Sequence, residues 1–145
     1  MRALIQRVAH AQVDVDGKTI GKIGRGLLVF LGVEKEDNEI SVAKLAKKLC
    51  NYRVFSDSDG KMNLNVTQVG GEILLVSQFT LVAETDRGNR PSFSKGASPA
   101  HGEAMYELMK TSLKGHGISL QTGCFGADMK VSLLNDGPVT FNLSV

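Results

Sequence analysis

Apolar and polar residues alternate near the start of the chain, where Ala9, Ala11, Val13 and Val15 are separated by His10, Gln12 and Asp14. A period of two places one set of side chains on a single face of a β-strand. Asp16-Gly17 follows. It is a hairpin-turn signal, because glycine adopts positive φ at little cost. Lys18 to Ile23 reads as the return strand, and Gly24-Arg25-Gly26 interrupts it. Leu27 to Val33 is continuously apolar, which predicts a strand covered on both faces. The period then lengthens. Val42, Leu45, Ala46 and Leu49 share one face at helical spacing, with Asp37 or Asn38 as cap and Glu39 in the first turn. Lys44, Lys47 and Lys48 lie on or near the other face, either as a solvated surface or as phosphate contacts.

Arg53 to Phe55 looks like a short strand. In Asp57-Ser58-Asp59-Gly60 the acidic spacing is partly that of a calcium loop. The glycine is misplaced and no bidentate glutamate follows, so a plain turn is expected. Glu72 to Val82 reads as one strand that changes character midway, from Ile73-Leu74-Leu75-Val76 to Ser77-Gln78-Phe79-Thr80. Residues 84 to 97 form a polar loop carrying Arg87, Arg90 and Lys95. Ser98-Pro99 is a helix start, serine capping and proline in the first position. Met105, Leu108, Met109 and Ser112 or Leu113 continue one face, and Gly115 and Gly117 end the helix. Ile118 to Thr122, Asp128 to Leu134 and Val139 to Val145 are further strands, with Asn135-Asp136-Gly137-Pro138 between the last two. This order predicts a single domain over residues 1–145. Its fold class is α+β, a mainly antiparallel sheet or open β-barrel with two helices.

A hydrophobic fraction of 42% and a charged fraction of 22% are those of an ordinary globular protein. The net charge of +2 permits a local basic patch and no more. The segment Met1 to Arg7 lacks the apolar core of a signal peptide. The strongly apolar run Leu27 to Leu31 is too short to span a bilayer. A cytoplasmic protein with no membrane partner is expected, in which Asn65-Val66-Thr67 is not a glycosylation site. Cys50 and Cys124 read as two buried thiols in a reducing compartment.

Several familiar chemistries have no trace. There is no Gly-x-Ser-x-Gly elbow, no phosphate loop, and no metal-ligand spacing among His10, His101, His116 and the cysteines. His10 is a surface residue on a strand's polar face. Two segments do stand out. Ser77, Gln78 and Thr80 are polar groups ending an apolar strand, and buried polar groups need partners. They are satisfied by neighbouring backbone, or they serve a ligand. Gly137-Pro138 heads a strand, where proline removes a ladder donor and fixes φ. It is an ordinary turn or a built feature.

Together, Ser77-Gln78-Phe79-Thr80-Leu81 and Asn135-Asp136-Gly137-Pro138-Val139-Thr140 resemble the two signature motifs of the D-aminoacyl-tRNA deacylase family. Met1 to Val8 resembles that family's first strand, Gly26 to Val33 its third, and Asn89-Arg90-Pro91-Ser92-Phe93 its loop before the second helix. The resemblance covers essentially the whole chain and carries that family's fold with it. It implies hydrolysis of the ester linking a D-amino acid to the 3′-terminal adenosine of tRNA. No cofactor is expected, and the sequence shows no metal-ligand set, which leaves metal assistance open. The resemblance also implies a homodimer. One subunit offers the segment matching Ser77 to Leu81, and the other inserts Gly137-Pro138 with its peptide bond cis.

Under that resemblance, Ser77 and Gln78 anchor the adenosine or its ribose. The backbone N–H groups around Phe79 and Thr80 are oxyanion donors. Two adjacent Gly137-Pro138 carbonyls hold the substrate ammonium, so that an L side chain strikes the wall and a D side chain points to solvent. Glycine, lacking a side chain, also passes. Thr80 is a tempting nucleophile with no activating base nearby in sequence, and the resemblance points to assistance by the tRNA 2′-hydroxyl. Arg7 braces the Gly-Pro loop or is a surface arginine. Phe125 and Met129 line the site floor or are simply core. Three other readings compete: a non-catalytic RNA-binding module using the lysines above with Arg87 and Arg90, an unrelated hydrolase of small esters or D-amino acid derivatives, and a thiol enzyme built on Cys124.

Overall fold

A computed structural model describes residues 1–145. The chain opens with β1 (Arg2–Val15), β2 (Lys18–Ile23) and β3 (Gly26–Gly32). The turn between β1 and β2 has Asp16 at φ 51° and Gly17 at φ 76°, the paired positive angles that keep a hairpin's strands twisted together. Helix α1 (Glu39–Asn51) follows, then a small ribbon of β4 (Phe55–Ser56) and β5 (Met62–Leu64), then β6 (Glu72–Ser77). A 3-10 turn spans Phe79–Val82. Helix α2 (Pro99–Gly115), β7 (Ser119–Thr122) and β8 (Lys130–Ser144) complete the chain.

The main sheet runs β2-β1-β3-β6-β7, with β8 on the other edge of β1. The pairs made by β1 are antiparallel, whereas β3-β6 and β6-β7 are parallel, so the sheet is mixed. It curls nearly into a barrel. At the seam β2 comes so close to β7 that a Cβ on Gly21 would lie 2.7 Å from the Thr122 carbonyl oxygen.

The curl explains why β3 and β6 are apolar throughout. Leu27, Val29 and Leu31 of β3, with Ile73 and Leu75 of β6, join the core beneath the helices. The alternate residues Leu28, Leu74 and Val76 join a second core inside the curl, with Val8, Ala11, Val13 and Ile23. Each such side chain contributes about 1.5–3 kcal/mol through burial.

Both helices start where local chemistry directs. The Asn38 side chain accepts from the N–H groups of Ile40 and Ser41, and Ser41 returns the bond in a capping box. Asp37 is not the cap. It is buried, accepting from the Met1 ammonium at 2.6 Å and from the Glu34 N–H at 2.7 Å. Ser98 caps α2 ahead of Pro99. The buried face of α2 is Gly102, Met105, Tyr106, Met109 and Leu113, while Leu108, expected on that face, is exposed.

Other sequence expectations also need correction. The short strand expected over Arg53 to Phe55 is Phe55–Ser56. The strand from Glu72 stops at Ser77. The Gln78 N–H makes a last bond to Leu31 O, and the chain then coils so that Val82 is buried. The two closing strands are one. β8 pairs with β1 on both sides of Asp136–Val139, because the chain resumes the same direction after its excursion. Cys50 is buried but Cys124 is exposed, in the connection between β7 and β8. The Asp57–Gly60 segment is a turn, held by bonds from the Asp59 and Lys61 N–H groups to the Asp57 carboxylate. No helix is long and apolar enough to cross a membrane.

Candidate active site

A cavity of about 480 Å³ opens beyond the carboxyl ends of the parallel strands β3 and β6. Phe30, Val76, Phe125 and Met129 supply apolar wall, Ser98, Pro99 and Gly102 bring the start of α2 to one side, and Ser77, Gln78 and Phe79 also line it. The cavity thus gathers five of the residues singled out from sequence. Ser77 ends the β6 ladder opposite Leu31, and its half-buried side chain lines the cavity. Gln78 donates from its amide to the Thr80 hydroxyl, which is itself exposed.

The turn after Gln78 has a further property. Its first internal bond runs from the Leu81 N–H to the Gln78 carbonyl. The Phe79 and Thr80 N–H groups precede that bond and have no partner within the turn. Phe79 presents its ring outward, 67% exposed, with its centroid 5.1 Å from that of Phe93.

No imidazole lines the cavity. His101 is committed elsewhere, 2.8 Å from the Asp37 carbonyl. The ionisable side chains in the lining are Asp128 and Tyr106. Asp128 is exposed and paired with Lys130. Burial pushes the Tyr106 phenol up to about 12. Its hydroxyl donates to the Leu75 carbonyl at 3.0 Å. Thr80 lies outside the lining, and the side-chain partner of its hydroxyl is the Gln78 amide, which is not a base. The sequence pattern passed over Tyr106. Its position one residue after Met105 and three before Met109 was the available signal.

Gly137 and Pro138 lie outside this cavity in their own chain and are exposed. Their position follows from the register of β8 on β1. Gln6 faces Thr140 and Val8 faces Asn135, so Asp136–Val139 stand opposite Arg7 alone and bulge away. The bulge is held on every side. Asn135 accepts from the Val139 N–H at 2.8 Å and donates to the Thr140 hydroxyl at 2.9 Å. Arg7 is an anchor rather than a surface residue, with a side chain 13% exposed. It donates to the Asp136 carbonyl at 2.9 Å and to the Val54 carbonyl at 2.8 Å. Gly137 sits at φ 140°, and a Cβ there would lie 2.7 Å from Val139 Cγ2 and 3.1 Å from Arg7 Nη2. The Gly137-Pro138 peptide bond is cis.

The family model described as D-Tyr-tRNA(Tyr) deacylase matches residues 4–144. The chain belongs to the D-Tyr-tRNA(Tyr) deacylase family. It is 63% identical over 145 residues to the D-aminoacyl-tRNA deacylase of Alteromonas mediterranea, covering 100% of both chains. It is 62% identical, again with full coverage of both, to that of Haemophilus influenzae strain PittEE. Among solved structures it resembles the c-Myc DNA Unwinding Element Binding Protein, with a TM-score of 0.95 and 38% identity, covering 100% of this chain and 99% of that one. A probable eukaryotic D-amino acid tRNA deacylase shares the fold, with a TM-score of 0.87 at 14% identity, covering 99% of this chain and 98% of that one. As a deacylase of this family, the chain is an enzyme, a carboxylic ester hydrolase.

Proposed function

We propose that the chain proofreads the chirality of aminoacyl-tRNA, hydrolysing the D-ester at a site completed by a second copy of itself. The observation that carries this reading is the separation of two built features. The cavity with its free Phe79 and Thr80 N–H groups is on one part of the surface, and the braced, exposed Gly137-Pro138 segment lies outside it. A homodimer that inserts each Gly-Pro segment into the partner's cavity mouth uses both.

In this site the terminal adenosine occupies the cavity, its base against Phe125 and Met129 and its ribose near Ser77 and Gln78. The ester carbonyl points at the Phe79 and Thr80 N–H groups, which stabilise the oxyanion as it forms. The partner's Gly137-Pro138 segment presents adjacent carbonyl acceptors to the substrate ammonium. With ammonium and ester both fixed, an L side chain runs into the Gly-Pro wall, whereas a D side chain leaves toward solvent. Selection is by clash against the wrong hand, so many D side chains are accepted without being read. Glycyl-tRNA has nothing to clash and is hydrolysed as well. With no base beside Thr80, the substrate's own 2′-hydroxyl assists attack, and the protein's contribution is positioning. A substrate of this kind places the enzyme in the cytoplasm.

Subunit mixing tests the shared site. Gly137→Ala disables the inserted segment and Phe79→Pro disables the cavity. Each variant alone is inactive on D-tyrosyl-tRNA. Unfolded and refolded together, random pairing restores about one quarter of the wild-type sites, since each mixed dimer has one intact site. Absence of any recovery, with dimers shown to have exchanged, contradicts a site built from two chains.

A further inference from the structure

The loop between the catalytic turn and α2 carries two guanidinium groups that the fold leaves unused. Every other arginine is engaged. Arg2 pairs with Glu34, Arg7 holds the Asp136 and Val54 carbonyls, Arg25 lies over the Phe55 ring, and Arg53 bonds Asn63. Arg87 and Arg90 form no ion pair or hydrogen bond, and both are exposed. A long cationic side chain with no internal partner is free to meet an anion.

The loop that carries them is tied at its base. Glu84 and Ser92 exchange two backbone bonds, of 2.7 and 3.1 Å, and Lys95 closes an ion pair on Glu84. The Phe93 ring then packs at a tilt against Phe79 beside the cavity. The loop's base is thus fixed to the turn that lines the site, while Arg87 and Arg90 project from its tip around Gly88, which sits at φ 67°. Arg90 is three positions before Phe93, a span of at most roughly 11 Å of extended chain. A guanidinium fork suits bidentate contact with phosphate oxygens. The Glu84 and Lys95 charges cancel at the base, so the loop's net positive field comes from its tip. Asp86 beside Arg87 offsets part of it.

We propose that Arg87 and Arg90 grip the phosphodiester backbone of the tRNA 3′ end, just upstream of the terminal adenosine. This rests on the reading that the cavity takes that adenosine. The two arginines tell the nucleic acid from a free aminoacyl-nucleoside, and they act on binding rather than on the chemical step.

The test compares the wild type with the Arg87→Ala/Arg90→Ala double variant on two substrates, D-tyrosyl-tRNA and the D-tyrosyl ester of adenosine. On the tRNA at low salt, the double variant loses about tenfold in kcat/KM, through KM and with kcat unchanged. Its log–log dependence on salt is shallower by roughly 1.4, the loss of two single-strand phosphate contacts. On the adenosine ester it matches the wild type. Arg87→Lys/Arg90→Lys, which keeps the charge, retains most of the salt slope. An unchanged KM and salt slope on tRNA overturn the proposal, as does an equal loss on both substrates. Inactivity of the wild type on D-tyrosyl-tRNA would be a different result, removing the proofreading function itself.

Discussion

The oxyanion role of the turn can be tested at a single atom. Replacing Phe79 with proline removes its backbone N–H and, with it, one of the two donors. The turn tolerates the ring, because proline suits the first position of a helical turn, where the N–H has no internal partner. The preceding residue, Gln78, has φ −144° and ψ 84° and is not helical, as a residue before proline should be. The substitution also deletes the phenyl ring, so Phe79→Ala is the control. That control loses an exposed contact with Phe93, worth about 0.5–1.5 kcal/mol, and keeps the N–H. Loss of one oxyanion donor costs about 10²–10³ in kcat, or roughly 2.7–4 kcal/mol of barrier. In single-turnover deacylation of D-tyrosyl-tRNA with enzyme in excess, Phe79→Ala stays within about tenfold of wild type. Phe79→Pro falls about a further hundredfold or more. Thermal unfolding of both variants establishes that the fold is intact. Equal rates for the two folded variants would refute the assignment of the N–H.

Other expectations follow from the same contacts. Arg7→Ala removes both donors to the Asp136 and Val54 carbonyls and lowers stability by about 1.5–3 kcal/mol in denaturant unfolding. It also slows deacylation at least about tenfold by loosening the Gly-Pro segment, and Arg7→Lys recovers only part because a single ammonium replaces a fork. Stability is also lost at high pH. Burial raises the Cys50 thiol from 9.0 to about 11 and the Tyr106 phenol from 10.0 to about 12. Protons are therefore held more tightly in the folded state, and the benefit is complete below pH 9 and lost as pH rises through 11 to 12. Tyr106→Phe and Cys50→Ala each flatten that alkaline decline in a pH series of melting temperatures. Cys124 lies outside the cavity lining, so Cys124→Ser keeps the wild-type deacylation rate. A large loss would revive a thiol mechanism.

Much of the fold was legible where local chemistry decides it. Asp16-Gly17, Asn38 with Ser41, and Ser98-Pro99 each specify a turn or a helix start with their own side chains and backbone. The apolar run Leu27 to Val33 predicted cover on both faces, and the curl of the sheet supplies it. What failed depended on pairing between distant segments. Gly137-Pro138 marks a break locally, but that the same strand resumes on β1 beyond Asp136–Val139, leaving one strand instead of two, is a property of the β1 register. The end of β6 at Ser77 depends on where Val82 finds a buried place. Likewise, the period of α2 alone did not choose Tyr106 over Leu108 for the interior, because the choice depends on what each meets on the sheet beneath, where the Tyr106 hydroxyl finds the Leu75 carbonyl. The site divides in the same way. Both motifs were visible as anomalies, but only the folded chain shows that Arg7 anchors one and that the other carries unpartnered N–H groups.

The central claim is that hydrolysis selects by hand. The direct measurement incubates the wild-type enzyme with D-tyrosyl-tRNA and, separately, with L-tyrosyl-tRNA, following release of the amino acid. The D-ester is expected to disappear rapidly while the L-ester decays no faster than without enzyme. Loss of both esters at the same rate would leave a hydrolase and contradict the Gly137-Pro138 wall.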